Sequence, residues 1–275
     1  MNTAVVAADA AARAAGVTTR EIAELREFDA VCRLFAEIWR PDPENPLATT
    51  ELLRALSKAG NYVGGAFNGA RLVGASTGFF GAPADATLHS HIAGVAGSGC
   101  GVGFALKLHQ RAWAMERGAS AIKWTFDPLV ARNAYFNLVK LGASAVEYLP
   151  DFYGRVYDDL NGSGETDRLL IRWDLAAPEV VAACAGTPRP GAAGGAVVAL
   201  DRSAGGLPVL GSLAGETLLV AAPADIERQR VSDPGGAREW RLAVREVLGK
   251  LLGDGARVTG FDKSGWYVVT RRETR

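Results

Sequence analysis

A chain of 275 residues, 48% hydrophobic and 22% charged, can bury a sizeable core and has room for one large or two small domains. Its 30 Lys+Arg balance its 30 Asp+Glu, and no basic run stands out, so neither nucleic acid nor an anionic membrane surface is an expected partner. Cys32, Cys100 and Cys184 are widely spaced, form no Cys-x-x-Cys and have no histidine cluster nearby, which argues against both a disulfide framework and a zinc site.

Residues 1–18 are alanine-rich and carry Asp9 and Arg13 inside the apolar run, which is not the layout of a secretion signal. They read as a short, frayed leader on a cytoplasmic protein. Phe28, Val31, Leu34, Phe35 and Ile38 recur at helical spacing and predict a helix over 26–39, ended by Pro41 and Pro43. A second helix is expected over about 49–58. Tyr62–Phe67 and Arg71–Phe80 read as strands joined by the hairpin signal Asn68-Gly69. A strand over 88–95, a glycine turn, a helix over 104–117 closed by Gly118, a strand over 121–126 and a helix over 132–140 follow. Further strands are expected over 145–149 and 169–174.

The sum over 19–175 is an α/β domain whose mixed, mostly antiparallel sheet is flanked by helices. From 176 to 215 the composition turns to Gly, Ala and Pro, the mark of a connector, although 196–201 and 207–210 could pair as a short hairpin. Residues 216–275 read as a smaller β-α-β-β unit whose helix carries Trp240, Val244, Val247, Leu248 and Leu251 on one face. About sixty residues hardly bury a core alone, so this unit is expected to pack on the first domain or across a homodimer.

Two features of the central stretch carry chemistry. The run Ser98-Gly99-Cys100-Gly101-Val102-Gly103 ends a strand and opens a helix, where free backbone N–H groups and the helix dipole favour an anion; a tight turn would use the same glycines. His89 and His91 stand two apart on the preceding strand, so alternation puts both on one face. Neutral imidazoles there suit proton removal from an amine, or shape a pocket by hydrogen bonding. Two histidines without a third ligand make no metal site.

The order strand, glycine turn, helix, strand, helix across His89–Gly142 resembles the GCN5-related N-acetyltransferase family, which moves an acetyl group from acetyl-CoA to an amine. The family's Arg/Gln-x-x-Gly-x-Gly/Ala frame falls on Ser98, Gly101 and Gly103, and its later Ala, Lys and Gly landmarks fall on Ala134, Lys140 and Gly142. The likeness is to a bacterial member with an extra C-terminal segment. It implies acetyl-CoA as donor and an amine as acceptor; the balanced charge favours a small-molecule amine over a protein, and the residues call for no metal. Backbone groups of Ser98, Gly99, Cys100, Gly101, Val102 and Gly103 would then hold the pyrophosphate, and Ala93, Gly94 and Val95 the pantetheine arm. Asn133 would contact the pantetheine or a thiolate-linked water, His89 or His91 would act as base, and Tyr135, Tyr153 or Tyr157 as acid. Glu37, a second candidate base, and Trp39 would line the acceptor side.

The chain also departs from the family pattern. Val95 and Ser98 are three residues apart instead of five, and Ser98 brings no cation, leaving Lys107, Arg111 or Arg132 to supply charge. Leu138 stands where the family's acid is commonly a tyrosine, and the usual asparagine position is Ala131. The alternative reading is therefore a degenerate acetyltransferase fold serving as a non-catalytic ligand-binding or regulatory module.

Overall fold

In the computed structural model, residues 3–97, 101–154, 164–188 and 194–271 are described. By its internal contacts the chain divides into two units, Met1–Trp124 with Asp174–Ala177, and Thr125–Trp173 with Pro178–Arg275.

The first unit opens with α1 (Thr3–Ala14), where a frayed leader was expected. Alanine has the highest helix propensity, and Ala4, Ala8 and Ala12 recur every fourth residue, so one narrow face is buried. Ala12 and Val17 pack with Ala66, Val102, Ala105 and Leu106. The strand β1 (Thr18–Glu21), absent from the sequence reading, pairs antiparallel with β2 (Tyr62–Asn68). Between them lie α2 (Leu25–Trp39) and α3 (Thr50–Lys58), the latter capped by the Thr49 side chain accepting from the Leu52 N–H. β2 turns at Gly69, whose φ of 58° suits the hairpin, into β3 (Arg71–Phe80). β4 (Thr87–Val95), α4 (Val102–Glu116) and β5 (Ala121–Phe126) follow.

The two faces of this sheet can be read from its glycines. A Cβ at Gly74 would meet Leu106 of α4, whereas one at Gly94 would meet Trp39 of α2. Gly74 and Gly94 belong to adjacent register pairs, Gly74↔Val95 and Ala75↔Gly94, which point to opposite faces, so α4 covers one side and α2 the other.

The second unit holds α5 (Ala131–Ala134), which runs on as a wide π-helical turn over Tyr135–Lys140, and the antiparallel pair β6 (Ser144–Leu149) and β7 (Arg168–Asp174). The stretch read as a connector contributes α6 (Pro178–Cys184), β8 (Val197–Arg202) and β9 (Pro208–Leu210). β8 and β9 form the short hairpin, with Leu200 opposite Leu210. β10 (Thr217–Ala221), α7 (Ile226–Ser232), α8 (Pro234–Val244), a second π-helical turn over Arg245–Gly249, α9 (Lys250–Gly253), β11 (Arg257–Phe261) and β12 (Trp266–Thr270) complete it. Trp240, Val244, Val247, Leu248 and Leu251 are all buried, as their helical spacing requires.

In the order of pairing, the larger sheet has seven strands, β1-β2-β3-β4-β5-β7-β6, and the smaller has five, β11-β12-β10-β8-β9. In the larger, β1–β2, β2–β3, β3–β4 and β6–β7 are antiparallel and β4–β5 is parallel; the smaller is mixed, β8 and β10 running parallel. No helix among the described residues is long and apolar enough to cross a membrane.

Candidate active site

β4 pairs with β3 along its length, but its parallel register with β5 covers only Thr87↔Ala121, Leu88↔Ile122 and His89↔Lys123. Beyond His89 the two strands part. From Ser90 to Val95 the strand has β3 as its partner on one edge, and the other edge offers backbone N–H and C=O groups that an extended ligand could pair.

A bulge interrupts β4 within this segment. Gly78 faces Ser90 and the next residue, Thr77, faces Ile92, so His91 is the extra residue. His89 and His91 keep to one side: their ring centroids are 5.9 Å apart, and Phe79 lies 5.0 Å from His89 and 5.8 Å from His91. Past the bulge the alternation is reversed. Ala93 and Val95, which simple alternation would put beside the histidines, turn to the α4 side, where Val95 packs with Val102. Burial holds both imidazoles neutral at neutral pH. His89 falls to about 4, through desolvation first and then the charges of His91 and Lys107. His91, the more exposed of the two, is lowered by desolvation alone, which leaves it the stronger base of the pair.

Ser98, Gly99 and Cys100, named for the pyrophosphate, lie outside the described residues. Gly101 is in the left-handed region, with φ 75°, and stands at the N-cap of α4, whose first turn has no side-chain cap and no acidic residue. Gly101 is exposed and Gly103 half-buried. A Cβ on Gly103 would meet Val95 Cγ2 at 3.7 Å, an ordinary contact, so internal packing does not demand glycine there. Val102 is turned inward and can offer only its backbone.

On the α2 side, Trp39 packs so close to β4 that a Cβ at Gly94 would come within 2.6 Å of its ring. Trp39 is half-buried and edge-on to Phe35 at 5.6 Å. Glu37 is exposed on α2.

Lys107 and Arg111 were expected to supply charge to a phosphate, and the structure corrects this. Both are buried on α4 beneath the sheet. Arg111 donates from Nε and Nη2 to the Leu175 carbonyl, at 3.0 and 2.5 Å. Lys107 Nζ donates to Ser90 Oγ at 2.9 Å and Gln110 Oε1 at 3.3 Å, and sits 4.0 Å from the centre of the Trp124 ring. Gln110 in turn donates to Ser76 Oγ, so a row of polar side chains runs under β3, β4 and β5. No carboxylate among the described residues pairs with Lys107, and burial pulls its pKa down to about 7. The sequence did carry a signal: Lys107, Gln110 and Arg111 at helical spacing lie on a helix buried almost all round.

In the second unit, Arg132 is engaged by Glu227. Asn133 and Tyr135 are half-buried at the start of the π-helical turn, and Leu138 is buried. Tyr153 is exposed, with its hydroxyl 3.1 Å from Thr125 Oγ1, and Tyr157 lies outside the described residues. Asp167 accepts from the Asp151 N–H, the Tyr148 hydroxyl and Arg245, bracing the loop over 151–154. Arg168 turns to Asp127, at 3.8 Å.

No protein-family model matches the chain, and no curated protein does. Among solved structures, an acetyltransferase of the GNAT family from Desulfovibrio desulfuricans is 18% identical, covering 58% of this chain and 99% of its own, with a TM-score of 0.48. An N-acetyltransferase from Staphylococcus aureus Mu50 is 15% identical over 58% of this chain and 98% of its own, with a TM-score of 0.48. An acetyltransferase from Salmonella typhimurium, solved with acetyl-CoA, is 16% identical over 59% of this chain and 97% of its own, with a TM-score of 0.47. The seven-stranded order, the parallel β4–β5 pair that parts at His89 and Gly101 at the N-cap of α4 make the mixed α/β sheet flanked by helices that the sequence resemblance implied.

Proposed function

We propose that the chain is an acyl-CoA-dependent N-acyltransferase acting on a small amine. The observation that carries this reading is the edge of β4 beyond His89, which leads from an opened parallel pair to the uncapped start of α4. An acyl-CoA has a polyanionic end, which suits free N–H groups at a helix N-terminus, and an amide-bearing arm, which suits a vacant strand edge. Gly103 supports the fit, because the space over it is not needed for packing among the described residues.

The reaction joins the amine nitrogen to the thioester carbon and breaks the C–S bond, and the proton shed by nitrogen ends on sulfur. Holding both reactants in place supplies much of the rate. His91 takes the proton from nitrogen: it is neutral, exposed and beside the edge on which the thioester would lie. His89 is too weak a base at about 4 and, with Phe79, shapes the pocket wall. Trp39 forms the apolar side of the acceptor space, on the α2 face of β4.

The test is thermal unfolding in graded acetyl-CoA and CoA, with adenosine diphosphate as control, followed by thiol release in the presence of a panel of small amines. Saturable stabilisation of about 2.7 kcal/mol at a hundredfold excess over Kd is expected. Absence of any shift at millimolar CoA and acetyl-CoA would defeat the reading.

A further inference from the structure

The position of Lys107 is specific to the opening of the sheet. Ser90 and Trp124 each stand one residue beyond the last register pair of β4 and β5, His89↔Lys123. The Lys107 ammonium touches both, at 2.9 Å to Ser90 Oγ and 4.0 Å to the Trp124 ring centre. It therefore sits at the apex of the splay, on its α4 side. Lysine is almost never this buried, at 6% exposure, without a carboxylate beside it. Its neighbours here are a hydroxyl, an amide oxygen at a long 3.3 Å and an indole face, all neutral. The last two are weak partners that a stronger acceptor could displace.

We infer that Lys107 selects an acyl group that itself ends in a carboxylate, so that the donor is the CoA thioester of a dicarboxylic acid. This rests on the donor reading above. If the phosphates lie at the start of α4 and the arm follows β4 from Val95 toward Ser90, about 17 Å of strand, the acyl tail is the part that reaches the apex. A carboxylate there would bring to a buried ammonium the counter-charge that no described residue supplies, with Ser90 holding the amine in place. Burial lowers the pKa of Lys107, and a carboxylate beside it would raise it again. An uncharged acyl tail would meet a desolvated cation and gain nothing from it.

The experiment compares succinyl-CoA with butyryl-CoA, equal in carbon count, together with acetyl-CoA, by isothermal titration to the full chain and to Lys107→Met. Wild-type protein should bind succinyl-CoA roughly tenfold or more tightly than butyryl-CoA, and the Met variant should lose that ratio. Butyryl- or acetyl-CoA bound as tightly as succinyl-CoA by the wild type would overturn the inference while leaving the acyltransferase reading in place. So would a preference for succinyl-CoA that survives in a folded Met variant. If neither CoA nor any thioester binds, the donor reading falls and takes this inference with it. The wild-type comparison stands as a test even if the Met variant does not fold.

Discussion

His91 concentrates the proposed chemistry in one side chain, and its replacement separates chemistry from binding. His91→Ala should lower kcat by about a hundredfold, the usual order for a lost general base, while donor affinity changes by less than about threefold. The pH dependence has a fixed sign. Because burial lowers the pKa of His91 from 6.5, the acid limb of kcat/KM should lie below that value, with activity falling as pH falls through it. In the Ala variant that limb should be absent. A pH–rate profile unchanged by the substitution would remove His91 from the mechanism.

At the scale of elements, Gly103 tells whether the start of α4 is a site or only a turn. Inside a helix, Gly→Ala stabilises by up to about 1 kcal/mol, and among the described residues the new methyl would meet nothing closer than Val95 at 3.7 Å. Gly103→Ala should thus raise the unfolding midpoint while weakening CoA binding, opposite signs that a purely structural glycine would not give. Equal CoA affinity in the two proteins, measured by titration, would count against the phosphate seat. The elements themselves were largely legible in sequence: the apolar spacing of α2 and the Asn68-Gly69 hairpin lie where pattern puts them. What pattern missed has physical causes. α1 buries only alanine methyls, too weak a contrast to register as amphipathic, and β1 is four residues long. The bulge at His91 turns Ala93 and Val95 to the opposite face, which no alternation rule foresees. The burial of Lys107 had its sign in the apolar residues all round its helix, but its place at the opening of the sheet had none, because that depends on where β4 and β5 part.

For the whole molecule, Asp127 matters more than any residue of the proposed site. It is 6% exposed and accepts from both Arg241 amino groups, at 2.8 and 2.7 Å, from Arg230 and from the Leu129 N–H, with Arg168 at 3.8 Å. The arginines hold its carboxyl far below the usual range against the opposing effect of burial. Asp127→Ala should cost about 3–5 kcal/mol in denaturant unfolding, because it strands buried guanidinium groups. A group whose folded pKa is depressed stabilises the fold above its unfolded pKa, so this contribution should be intact above about pH 5 and drain away as pH falls below about 4. A stability curve flat from pH 5 to pH 2 would contradict it. Truncation gives a second test. Removal of everything after Ala176 takes Arg230 and Arg241 from Asp127, and the product should be largely insoluble or lack cooperative unfolding by circular dichroism. A soluble, sharply melting fragment would show that residues 125–173 hold together without their C-terminal partners.

The same carboxylate has a consequence for how the protein is made. Asp127 and Arg241 are 114 residues apart in sequence. At ordinary rates of synthesis the anion leaves the ribosome about 6 to 23 s before its principal counterion. The first unit also needs Leu175, whose carbonyl receives Arg111. Neither unit can close in the order in which it is translated, and the nascent chain must carry half-built charge pairs until its last quarter emerges.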